Sequence, residues 1–388
     1  MCRAGRVDGG RSVDFRAMAQ AEVERVPIWL EPVRGGYSDP SVLGFNGLER
    51  MRLTVAGRTP APPIHHLTGL KPIDCGPGSS TFSMPASPWW QTPAGLFSAG
   101  TMAFVADAPL GTAIATDLPP GRLLVTSDLS MNYLRPASVG SGELIGRARL
   151  IHTGKRVALS EIRVEDAEGR LLGHGTTRCF LFDPFPVVPD RPDPSTFPAY
   201  EANYDTPDPW QREPKGGLVP QEVWDERPGL EVYEGLISGD LPSPPIHHFT
   251  GGRFTEVGEG RAMFVQPATE WLNSPARALY GGAIAWIVDT ALAGAVHTTL
   301  PARAAFAPLD LKVNFVRPVF PDMRDLTAEA RVTHRGKSLA VASCELRNAD
   351  GKKVAVGTSS SIILPDRQWS GAEVIPEDEA PEDAAAAE

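Results

Sequence analysis

From Ala283 to Val296 the chain is apolar on nearly every side, with Asp289 the single charge inside the run. A helix with that pattern is buried all round rather than half-exposed, so it needs a sheet to wrap it. The following segments supply one. Leu309, Leu311, Val313 and Phe315 alternate with Asp310, Lys312 and Asn314, and Leu326, Ala328, Ala330 and Val332 alternate with Thr327, Glu329 and Arg331. Period-two alternation predicts strands with one buried face. Two further runs, 338–347 and 352–363, flank Asp350-Gly351, a hairpin signal. With an earlier strand near 258–266, these elements make an α+β unit of about 120 residues, one apolar helix followed by an antiparallel meander.

The unit occurs twice. Pro63-Ile64-His65-His66-Leu67-Thr68-Gly69 returns as Pro245-Ile246-His247-His248-Phe249-Thr250-Gly251, an offset of 182 residues. The same offset pairs Asp128 with Asp310, Asn132 with Asn314, Arg135-Pro136 with Arg317-Pro318, and Gly154-Lys155 with Gly336-Lys337. Without a gap, 64–182 and 246–364 share 37 identities in 119 positions, which is a duplication. The expected organisation is an N-terminal extension over 1–46, a first domain over 47–182, a proline-rich extended linker over 183–222, a second domain over 223–364 and an acidic tail over 365–388. The extension and the tail show no period; the extension is expected to be partly disordered and the tail disordered.

Composition changes the picture only by exclusion. The net charge of -10 offers no basic field to a nucleic acid or an anionic membrane. Cys2, Cys75, Cys179 and Cys344 are far apart with no CxxC pair, so they suggest neither a zinc cluster nor a disulfide framework. With neither a signal-peptide core nor a run of about 18 apolar residues, a soluble cytoplasmic protein is expected.

The chemistry centres on the helix. Burying an unpartnered carboxylate costs several kcal/mol, so Asp289 and its counterpart Asp107 must be paired, protonated or lining a cavity. A structural carboxylate is the plain alternative. Gly281-Gly282 opens the second helix, and Ala99-Gly100 stands at the matched place. Glycines there let a ligand approach free N–H groups at the positive end of the macrodipole. At about 1.5 Å per residue, Gly282 and Asp289 lie roughly 10 Å apart along one helix, too far to act on one small group. An antiparallel neighbour would bring the other copy's acid to the glycines instead.

Two helices of this kind, each preceded by Asn or Gln and followed by strands like Asp310-Leu311-Lys312-Val313-Asn314-Phe315-Val316-Arg317-Pro318, resemble the PaaI-type hotdog acyl-CoA thioesterases. The likeness covers about 47–182 and 229–364. It implies a tandem hotdog, with active sites between the copies and no cofactor. It implies that Asn273 and the backbone of Gly281 and Gly282 hold a thioester carbonyl while Asp107 acts as nucleophile or general base, helped by Thr126. The reciprocal site would join Gln91, Ala99 and Gly100 to Asp289, with Pro308 in place of Thr126. Ser98 and Tyr280 replace the family's histidine before the glycine pair and are expected to touch substrate. Lys155 and Lys337 are candidates for coenzyme A phosphates, although turn lysines are as readily plain surface charges.

Other readings fit less well. The His-His pairs, taken as neighbours on a strand, face opposite ways and do not share a metal. Trp89 and Trp271 read as packing or pocket walls. A hotdog hydratase resembles an Asp-x4-His pattern, whereas His297 follows Asp289 by eight residues and no histidine follows Asp107 in its helix. Gly95-Leu96-Phe97-Ser98-Ala99-Gly100 is not a serine-hydrolase elbow. A non-catalytic acyl-CoA-binding or assembly module is the rival from another class. A homodimer of tandem chains is the expected assembly.

Overall fold

The computed structural model describes residues 26–186, 193–197, 199–200 and 203–365. The first copy runs α1 (Gly47–Val55), α2 (Pro63–Thr68), β1 (Lys71–Gly76), β2 (Ser79–Pro85), α3 (Gly100–Ala115), β3 (Leu124–Tyr133), β4 (Glu143–Thr153), β5 (Val157–Glu165) and β6 (Leu171–Leu181). After a short α4 (Gln221–Glu226), the second repeats the order. It comprises α5 (Gly229–Ser238), α6 (Pro245–Thr250), β7 (Arg253–Gly258), β8 (Arg261–Pro267), α7 (Gly281–His297), β9 (Ala305–Pro308), β10 (Asp310–Phe315), β11 (Asp325–Arg335), β12 (Leu339–Arg347) and β13 (Lys353–Leu364). Each apolar helix, α3 and α7, is wrapped by its own antiparallel strands, which makes two hotdogs in tandem.

The two sheets fuse into one, ordered β1-β2-β4-β5-β6-β3-β10-β13-β12-β11-β8-β7, with β9 paired to β13. The junction is the antiparallel pair β3–β10, in register from Asp310 opposite Asn132 to Asn314 opposite Asp128. Fusing there removes one exposed edge from each copy. An ion pair crosses the seam, Lys312 Nζ standing 2.9 Å from Asp128. Where β3 is continuous, its second-copy equivalent is split into β9 and β10 just after Pro308. The core runs through both copies as one apolar cluster, in which Met102, Phe104 and Leu110 of α3 join Ile284, Trp286 and Leu292 of α7.

The duplication reaches further than the ungapped offset suggests. The stretches around Trp29 and Trp210 each open on a turn of 3-10 helix, Ile28–Leu30 and Pro209–Gln211. Each ends on a glycine pair, and Gly36 N donates to Ala61 O as Gly217 N donates to Ser243 O. They dock crosswise on the two hotdogs: Trp271 Nε1 donates to Glu31 O, and Trp89 Nε1 to Arg212 O. Residues 26–46 of the extension expected to be partly disordered, and the later part of the expected extended linker, are packed straps. The straps differ by single-residue spacings, which hides them from an ungapped comparison. The acidic tail from 366 on, and residues 1–25, lie outside the described residues.

Candidate active site

Helices α3 and α7 lie antiparallel, so the start of each meets the middle of the other. Gly282 N donates to Asp107 Oδ2 at 2.9 Å, and Gly100 N donates to Asp289 Oδ2 at 2.7 Å. These are the crosswise pairings that the helix rise demands. The glycines are required by closeness alone. A Cβ on Gly281 would lie 2.7 Å from Asp107 Oδ2, one on Gly282 2.6 Å from Phe104 O, and one on Gly100 2.7 Å from Asp289 Cβ.

Both carboxylates are deeply buried, Asp107 at 6% exposure and Asp289 at 1%. Burial penalises the charged form, and the helix N–H only partly compensates. Asp107 is pushed up to about 6, with the bonds from Gly282 and Thr126 pulling the other way, and Asp289 to about 7, opposed by Gly100. Thr126 Oγ1 donates to Asp107 Oδ1 at 3.2 Å, as its place on the next strand allows. Pro308 has no hydroxyl to give Asp289.

Asn273 stands in the loop before α7, 1% exposed. Its Nδ2 donates to the Tyr37 hydroxyl at 3.0 Å, while Oδ1 is buried without a partner among the described residues. The Arg277 guanidinium sits over the Tyr37 ring, 4.4 Å from its centroid. Sequence reasoning misses Tyr37 because it lies in a strap with no period of its own. Its counterpart in the other strap is Leu218, which has no hydroxyl. Gln91, in the place of Asn273, turns its amide back on its own loop and donates to Gly95 O at 3.2 Å.

Tyr280 is not where a substrate contact was expected. Its hydroxyl donates to Phe104 O at 2.7 Å and accepts from Ala108 N at 2.7 Å, entering the backbone ladder of α3. Pro109 explains the opening: it has no N–H for the Val105 carbonyl, and its ring pushes the preceding turn apart. In α7, Ala291 replaces Pro109, and Ser98 stands at the place matching Tyr280. The Ser98 hydroxyl stays local, 3.4 Å from that of Thr101. Lys155 and Lys337 occupy exposed turns at the far ends of the helices. Arg122 bonds the Lys155 carbonyl, and Arg335 Nε bonds the Thr299 hydroxyl at 3.1 Å beyond the end of α7.

The His-His pairs lie on the short helices α2 and α6, not on strands. His65 and His247 are driven down to about 3, by burial first and then by the neighbouring histidine. His66 instead pairs with Asp208 at 3.0 Å, tying the second strap to the first copy. Trp89 stacks on Phe249 with centroids 5.3 Å apart, a packing role. Among the described residues, no three His, Cys, Asp or Glu side chains gather as metal ligands, and no helix is long and apolar enough to cross a membrane.

Residues 94–172 and 277–355 each match the model of the Thioesterase superfamily, so each match takes in one helix opening (Ala99-Gly100 or Gly281-Gly282), its helix and most of the sheet that follows. A protein of Saccharolobus solfataricus, named provisionally as an esterase, is 28% identical over 119 residues, 31% of this chain and 83% of its own. Among solved structures, an acyl-CoA thioesterase II of Mycobacterium marinum aligns with a TM-score of 0.46 at 12% identity, over 78% of this chain and 97% of that one. The E. coli PaaI protein from the phenylacetic acid degradation operon aligns at 28% identity with a TM-score of 0.28, over 30% of this chain and 81% of its own. The two family matches fall one within each hotdog, so the structure is a tandem pair of hotdog domains in one polypeptide, each carrying a segment that matches the Thioesterase superfamily.

Proposed function

We propose that this protein is an acyl-CoA thioesterase whose principal site lies between its two hotdogs, at Asp107 of the first and the opening of α7 in the second. The observation that carries the proposal is the bond from Gly282 N to the buried Asp107 carboxylate. It joins a buried base to a positive helix end, the pairing that thioester hydrolysis needs. A carboxylate raised to about 6 is still largely ionised at neutral pH and is a stronger base than an exposed one.

In this reading the thioester carbonyl oxygen rests on the Gly281 N–H and the Asn273 amide, which oppose the negative charge that grows on it. Asn273 is suited to this. Tyr37 can donate as well as accept, so a half-turn of the amide keeps that bond and presents the NH2 to the carbonyl. Asp107 takes a proton from water while the water oxygen bonds to the carbonyl carbon. Collapse of the intermediate breaks the C–S bond, and the coenzyme A thiolate leaves and takes up the proton. Thr126 keeps Asp107 aimed. Lys155 and Lys337, a helix end away, are offered for the phosphates of coenzyme A.

The test is the release of free thiol from a panel of short, long and aromatic acyl-CoAs, followed with a thiol reagent. Release that disappears in Asp107→Ala/Asp289→Ala supports the assignment. Saturable binding of acyl-CoA without release from any member would make the protein a binding module instead.

A further inference from the structure

We propose that Tyr133 is the hydroxyl donor of a second working site, serving Asp289 as Thr126 serves Asp107. The inference rests on the thioesterase reading above and deepens it, since the second cleft otherwise has neither the threonine nor the asparagine of the first.

The hydroxyls of the two clefts are exchanged across the seam. At Asp107 the strand of the same copy gives Thr126, and the repeat position of Tyr133 is Phe315, which has no hydroxyl. At Asp289 the strand of the same copy gives Pro308, and the opposite copy brings Tyr133. The placement follows from the register. Tyr133 ends β3 at the junction, and its N–H donates to Leu309 O at 2.8 Å, one residue beyond Pro308. In the alternation of β3, Leu129, Met131 and Tyr133 face inward towards the helices and are buried.

Tyr133 is 8% exposed, yet among the described residues its hydroxyl has no hydrogen-bond partner. A buried O–H left unpaired costs about 1–3 kcal/mol, an arrangement tolerated where a ligand group completes it. Burial first, then the charge of Asp289 and after it that of Asp310, push the phenol far above its usual range, so it stays a donor. Asp310 is engaged elsewhere, accepting from Ser360 N at 2.9 Å. The Tyr133 hydroxyl is thus an unspent donor within reach of the Asp289 charge, available to that carboxylate or to a water bound beside it. Asp289 takes the water proton, the water oxygen bonds to the thioester carbonyl carbon, and the thiolate departs with the proton.

The experiment isolates the second cleft with Asp107→Asn and compares steady-state acyl-CoA hydrolysis with and without Tyr133→Phe. Adding Tyr133→Phe is expected to lower the remaining kcat at least tenfold, with KM within about twofold and the melting temperature unchanged or raised, since the unpaired hydroxyl is removed. Returning a hydroxyl with Pro308→Thr in the same background should recover part of the loss, which a packing role for the ring would not predict. An unchanged kcat on adding Tyr133→Phe would overturn the inference. So would turnover in Asp107→Asn no higher than in Asp107→Asn/Asp289→Asn. A wild-type protein inactive on every acyl-CoA would instead remove the thioesterase reading itself, and this inference with it.

Discussion

Tyr280 of the second hotdog and Pro109 of the first are complementary: the proline opens α3, and the tyrosine hydroxyl occupies the opening, bonded to Phe104 O and Ala108 N. Asp107 lies inside that turn, so the residue before one copy's glycine pair also sets the backbone that carries the other copy's acid. The matched positions change together, to Ser98 and Ala291. A buried bridge of this kind contributes to the fold as well as to the aim of the carboxylate.

Removing the bridge should therefore cost stability in a way that depends on the proline. Tyr280→Phe leaves Ala108 N and Phe104 O unbridged and is expected to destabilise the protein by about 1–3 kcal/mol. In a Pro109→Ala background, α3 can close its own ladder, and the same change should cost less, with a coupling of roughly 0.5–3 kcal/mol. Denaturant melts of the four proteins measure it. Strict additivity would mean that the hydroxyl and the proline act independently.

The two acids should not be equal. Asp107 accepts from Thr126, whereas Pro308 at the matched place has no hydroxyl for Asp289, and Gln91, in the place of Asn273, is turned onto Gly95. Asp107→Ala is expected to lower acyl-CoA turnover at least tenfold and Asp289→Ala to lower it by less, measured as kcat/KM on one substrate. An equal loss, or a larger one for Asp289, would reverse the ranking of the clefts.

Much of this is legible in the sequence because it depends on periodicity and length. The apolar run around Asp289 points to a wrapped helix, the ungapped offset to two copies, and the rise per residue requires the acids to cross. What is not legible depends on contacts without a period. Tyr37 sits in a strap whose repeat is broken by single-residue shifts. Tyr280 reads as a substrate contact because sequence cannot say that its hydroxyl would meet a helix opened by a proline 171 residues earlier. The His-His pairs read as strand residues, whereas Pro63 and Pro245, at the first turn of each segment, start short helices.

Acidity should silence the two clefts at different pH. A carboxylate acts as a base only when ionised, so each site loses rate as pH falls through its own raised value, about 6 for Asp107 and about 7 for Asp289. The acid limb of kcat/KM is expected near pH 6 in Asp289→Asn and near pH 7 in Asp107→Asn, with a fall of about tenfold per pH unit below each limb. A limb near pH 4 in either variant would mean that the carboxylate is not desolvated while the site works.

The same raised values carry a cost to the fold, and its sign can be worked out. Burial lifts Asp289 from 3.8 to about 7, so between those values the folded protein holds a proton that the unfolded chain has released. That stability is fully present below about pH 4 and is lost as pH rises through about 7. At pH 8 the folded protein must keep a buried anion, which costs on the order of 1.4 kcal/mol for every tenfold by which folding tightens the hold on the proton. Asp289→Asn keeps an acceptor for Gly100 N and removes the charge. Its melting temperature is expected to exceed that of the wild type at pH 8, with the gap closing towards pH 4. A wild-type advantage that grows with pH would instead mean that the ionised Asp289 is stabilised by its surroundings, and the case for a strained base poised for catalysis would fail at that site.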